Sequence, residues 1–131
     1  MLTLCFRLVA AVAVALSLPA AALAAAADYS LALVSTTYPV GAGAVLEVRL
    51  TDTRTAAPVD GAVIFATRMD MAPDGMATMT SPVEVLPSTE PGLYRFSTDI
   101  VMAGNWRFSV AAKVQGEAET VQAETVIAAQ P

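Results

Sequence analysis

One stretch constrains the fold more than any other. In "AVLEVRLTD" (residues 44–52), Leu46, Val48 and Leu50 fall at every second position, with Glu47 and Arg49 between them. Successive side chains of a β-strand point to opposite faces, so this stretch reads as a strand with one buried and one wet face. The same period recurs in "YSLALVS" (29–35), in "LYRFSTDI" (93–100), and in "WRFSVAAKV" (106–114). In the last of these, Trp106, Phe108, Val110, Ala112 and Val114 share one face. Two further β-rich stretches, "AVIFATRM" (62–69) and "AETVQAETVIA" (118–128), complete the set, together with "ATMTSPVEVL" (77–86), where Pro82 signals an edge or a bend. Turn or loop signals separate them: "RTAAPVDG" (54–61), "PDG" (73–75), "PSTEPG" (87–92), "MAGN" (102–105) and "QGE" (115–117).

About seven short strands with turns every eight to twelve residues, and no amphipathic helix, predict an all-β fold. The expected form is a two-layer antiparallel sandwich of immunoglobulin-like type. The chain ahead of it reads differently. Residues 1–24 carry one positive charge (Arg7), an apolar run from Leu8 to Leu18, then Pro19 and small residues ending in Ala22-Leu23-Ala24. This is the pattern of a cleavable secretory signal peptide, with Ala26 and Ala27 as alternative sites. An uncleaved anchor over Leu8–Ala27 is the other reading, since a span of roughly 20 residues crosses a bilayer. With cleavage, residues 28–131 form one domain, without a membrane span, exported to the periplasm.

The chain is acidic, with 7 Lys and Arg against 12 Asp and Glu, and the signal peptide removes one of the basic residues. That balance excludes a basic nucleic-acid-binding surface. The chain has no histidine, and Cys5, its only cysteine, lies in the signal peptide. Ser-His-Asp and Cys-His nucleophile systems and the usual zinc and copper(II) ligands are therefore not available to the mature domain. The aspartates sit mostly at turns, where carboxylates accept backbone N–H groups, and no pair of them is spaced as a general acid and base. Enzymatic catalysis is not expected.

"RMDMAPDGMATM" (68–79) holds four of the six methionines. A three-residue loop at Pro73-Asp74-Gly75 sets Ala72 opposite Met76, Met71 opposite Ala77 and Met69 opposite Met79. Met69, Met71 and Met79 then share one face, with Met76 or Met102 as a fourth ligand and Asp70 and Asp74 as nearby charge. A two-residue loop would instead pair Met71 with Met76. Thioether sulfur is soft and neutral and suits copper(I) or silver(I) rather than hard cations. Two other readings stay open: the methionines fill the core, or they form an adaptable protein-binding surface.

The segments "PVDGAVIFATRMDMAPDGMATM", "PGLYRF" and "MAGNWRFSVAAKVQGEAETV" resemble the YtkA-like, or FixH-like, family over about Ser30 to Ile127. The resemblance implies a small exported β-sandwich associated with heavy-metal efflux or with copper supply to an oxidase. It implies a non-enzymatic accessory protein whose partner is a metal-efflux periplasmic adaptor or a cuproenzyme assembly factor. The missing histidine departs from metal-handling segments of this kind and argues against copper(II). The alternative is a structural or adaptor sandwich that docks on a periplasmic membrane-fusion protein, with the methionines as packing.

Overall fold

The computed structural model describes residues 28–131. The expected signal peptide and its cleavage sites lie outside the described residues. Ten strands follow one another: β1 (Tyr29–Leu33), β2 (Thr37–Pro39), β3 (Gly41–Asp52), β4 (Ala57–Pro58), β5 (Val63–Met71), β6 (Met76–Ser81), β7 (Val83–Leu86), β8 (Leu93–Ile100), β9 (Gly104–Lys113) and β10 (Thr120–Gln130). A 3-10 turn, Ala72–Asp74, joins β5 to β6. Among the described residues no helix is long and apolar enough to cross a membrane.

The strands form two five-stranded sheets. The first runs β1-β3-β8-β7, with β4 added against β3, and the second runs β2-β10-β9-β5-β6. Every pairing is antiparallel except β2 with β10, which is parallel. The all-β sandwich is thus as expected, but seven strands become ten. β2 and β4 are three and two residues long, too short for an alternation to be visible. Pro82 divides the stretch 77–86 into β6 of the second sheet and β7 of the first.

The alternating faces meet between the sheets. Leu46, Val48 and Phe96 from the first sheet pack with Met69, Trp106, Phe108 and Val110 from the second, all buried. The Phe96 and Phe108 rings stand 5.3 Å apart at 60°, a tilted contact favoured by the ring quadrupoles. Trp106 is fully buried and donates its indole N–H to the Met102 carbonyl at 3.1 Å, so its one polar atom is satisfied. A second, smaller cluster of Leu50, Val114 and Val121 closes the far end.

Candidate functional site

The hairpin register differs from the expected one. Met69 stands opposite Ser81, Asp70 opposite Thr80, and Met71 opposite Met76, with a bulge between Asp70 and Met71 that leaves Ala77, Thr78 and Met79 unmatched. The expected pairings of Met69 with Met79 and of Met71 with Ala77 are therefore incorrect. The cause is Asp70. Its Oδ1 accepts the Ala72 N–H at 2.9 Å, which takes Ala72 out of the ladder and into the loop. Gly75 then closes the turn in the left-handed region (φ 76°), its N–H bonded to the Ala72 carbonyl at 2.9 Å. The loop becomes four residues long, and Met71 meets Met76.

Asp70 itself is fully buried, a position a carboxylate occupies only when paired. Its Oδ2 receives Arg68 Nε at 2.7 Å and Arg107 Nη2 at 2.9 Å. Burial pushes its carboxyl up, but the Ala72 N–H and the Arg107 and Arg68 guanidiniums outweigh this and hold it below the usual range. Arg68 also donates to the Ala77 carbonyl at 2.8 Å, which fastens the bulged part of β6. Sequence reasoning placed Asp70 only as charge near the sulfurs. The Arg-x-Asp alternation on one strand is the signal that it belongs to an ion pair.

A second carboxylate fixes the other side of the hairpin. Asp74 accepts the Asn105 backbone N–H at 2.8 Å and its side-chain amide at 3.0 Å. Those bonds hold the Asp74 carboxyl below its ordinary value. Gly104 leaves room for this junction: a Cβ there would lie 2.5 Å from Asp74 Oδ2 and 2.8 Å from the Met71 methyl carbon, and its φ of 136° suits glycine. The turn before β9 is thus pinned against the hairpin.

The five nominated methionines fall into three environments. Met69 and Met71 are 0% exposed and belong to the main core. Met76 and Met79 are half-buried and pack against it. Met102 is 38% exposed, two residues before the Gly104 that touches Met71. The structure brings Met71, Met76 and the 102–105 turn to one end of the sandwich. Met69 lies two residues earlier on β5, opposite Ser81, and Met79 falls in the bulge. Among the described residues there is no group of three or more Asp, Glu, Cys or His able to hold a metal ion.

Elsewhere, a groove of about 140 Å³ crosses the outer face of the second sheet over Ala66, Ser109 and Ala111, between Arg68 and Glu124. Its floor is small because those residues are small.

Three solved structures are similar to the chain at low identity. The Lin-41 filamin domain is 17% identical, with a TM-score of 0.46 over 79% of this chain and 92% of that one. The C-terminal domain of ZirS is 12% identical, with a TM-score of 0.47 over 80% and 67%. A DUF4785 family protein from Legionella pneumophila is 11% identical, with a TM-score of 0.50 over 77% of this chain but 28% of that one. These likenesses concern the fold alone. No curated protein matches the chain. A family model described as YtkA-like matches residues 23–111, well over half of the chain and including the methionine hairpin, so the chain belongs to the YtkA-like family.

Proposed function

We propose that this is an exported, non-enzymatic accessory protein that binds and passes on monovalent copper or silver through methionine sulfur. Its ligands are Met71, Met76 and Met102, at the hairpin end of the sandwich. The observation that carries the reading is the pairing of Met71 with Met76 beside the 102–105 turn, where the Met71 methyl lies against Gly104. Met71 is buried, Met76 half-buried and Met102 38% exposed, a gradation that suits an ion that must be both shielded and exchangeable. The donor chemistry fits copper(I) and silver(I): soft, neutral and unprotonated at any pH of the periplasm. Asp74, held ionised by Asn105, supplies negative charge close to a neutral donor set. Met69 and Met79 drop out of the ligand set because of the register. In this reading the protein serves a metal-efflux or cuproenzyme-assembly system, and its partner is that system's periplasmic adaptor or assembly factor, as the FixH-like resemblance implies.

One observation favours a second reading. Full burial of Met69 and Met71 is what packing alone requires, and it suits a structural or adaptor sandwich docking on a periplasmic membrane-fusion protein. Competitive titration with copper(I) under reducing conditions separates the two. The metal reading expects binding in the wild type that is weakened in Met71→Leu, Met76→Leu and Met102→Leu but not in Met69→Leu. Leucine keeps most of the volume, so a loss reports ligation rather than packing. No binding by the wild type leaves the adaptor reading.

A further inference from the structure

Met71 and Met76 are set against each other by the hairpin ladder itself. Met102 has no such support. It stands in the turn between β8 and β9, and the ladder that joins β9 to β5 ends at the pair of Arg107 with Asp70. Among the described residues, the hydrogen bonds that cross from the 102–105 turn to the hairpin are the two that Asp74 accepts. They come from the Asn105 backbone N–H at 2.8 Å and from the Asn105 side-chain amide at 3.0 Å. Gly104 makes the fit close, since a Cβ there would strike both Asp74 and the Met71 methyl group.

The other side of the turn is fixed to the core. Trp106, fully buried, donates its indole N–H to the carbonyl of Met102 itself. Met102 is thus held between a bond from the core and a pair of bonds at the surface, where Asp74 and Asn105 are both exposed. Water competes for the surface bonds, so they open at little cost while Trp106 and the sheets stay in place.

Resting on the reading of Met71, Met76 and Met102 as ligands, we infer that Asp74 is the positioning residue of the metal site. Latched to Asn105, it holds the Met102 sulfur with those of Met71 and Met76; unlatched, it leaves the ion on two sulfurs. A further donor held beside a pair binds in an intramolecular step, whose strength depends on how closely it is held. Removing an outer partner that orients a ligand typically costs about 10–100-fold in metal affinity. Asp74 also carries a charge that attracts a cation whether or not the turn is latched. The two roles differ in one respect: the charge acts without the Met102 sulfur, and the latch does not.

The test is a double-mutant cycle read by competitive copper(I) titration under reducing conditions, with copper K-edge absorption of the loaded protein. Asp74→Ala should weaken binding about tenfold or more and reduce the shell from three sulfurs to two. In the Met102→Leu background the same substitution should cost much less and leave the number of sulfurs unchanged. Asp74→Asn, which keeps one acceptor for Asn105, takes the place of Asp74→Ala should that variant lose its fold. Three sulfurs retained in Asp74→Ala at wild-type affinity would overturn the inference and leave the metal reading intact. So would an equal loss of affinity with and without Met102, because Asp74 would then act by its charge alone. A wild type that binds no copper(I) would instead remove the metal reading, and this inference with it.

Discussion

Replacing Asp70 tests the physical origin of the hairpin register. The side chain is fully buried and accepts from Ala72, Arg68 and Arg107. A hydrogen bond to a charged partner contributes about 1.5–3 kcal/mol, and Asp70→Ala removes that bond from the Ala72 N–H. The two guanidiniums are less decisive, because their side chains are 51% and 33% exposed. Half-open ion pairs are each worth about 0.2–1 kcal/mol. Against this stands a further cost: Arg107 Nε is already buried without a partner, and the substitution would strip its guanidinium of the carboxylate as well. Asp70→Ala should therefore cost about 2–4 kcal/mol, and Asp70→Asn, which keeps an acceptor for Ala72, about half of that. Urea melts at neutral pH measure both. The Ala72 amide should lose its exchange protection in Asp70→Ala. A loss below about 1 kcal/mol, or an unchanged Met71–Met76 pairing with Ala72 still protected, would refute the account of the register.

Acid titration of the same carboxylate has a fixed sign: its folded pKa is lowered, so its stability contribution is complete above the unfolded value of about 3.9 and fades as pH falls through the folded value. Thermal melts should lose stability below about pH 4, and less so in Asp70→Asn. Trp106→Ala removes the largest fully buried side chain and should cost about 3–5 kcal/mol in denaturant melts. Gly104→Ala should destabilise by about 1–3 kcal/mol and free the Asn105 amide from Asp74, seen as faster exchange, since the new methyl group meets Asp74 and Met71. Met69→Leu conserves volume in the core and should cost less than about 1.5 kcal/mol.

Much of the fold was legible because its strands alternate. Leu46, Val48 and Leu50 are buried as their spacing predicts, and so are Trp106, Phe108, Val110, Ala112 and Val114. Those patterns record the face a strand turns to the core, and nothing else is needed to see it. The register of the methionine hairpin was not legible. It depends on Asp70 meeting Arg107, 37 residues away in the chain, and on that carboxylate then taking the Ala72 N–H. Turn chemistry alone favours a three-residue loop at Pro73-Asp74-Gly75; a tertiary ion pair makes it four. The division of 77–86 between the two sheets was hidden for a similar reason. Pro82 marked a break, but that the chain changes sheets there is a property of the packed molecule. Met102 is a candidate by residue type alone; what ties its turn to the hairpin is Asn105, three residues on, bonding to Asp74.

The central claim is that Met71, Met76 and Met102 hold a monovalent soft metal ion. Copper K-edge absorption on the copper(I)-loaded protein reads the ligands directly. The account predicts a first shell of sulfur alone, which loses sulfur in Met76→Leu and Met102→Leu and is unchanged in Met69→Leu and Met79→Leu. A first shell of oxygen or nitrogen, or a sulfur shell that depends on Met69 and Met79, would contradict it.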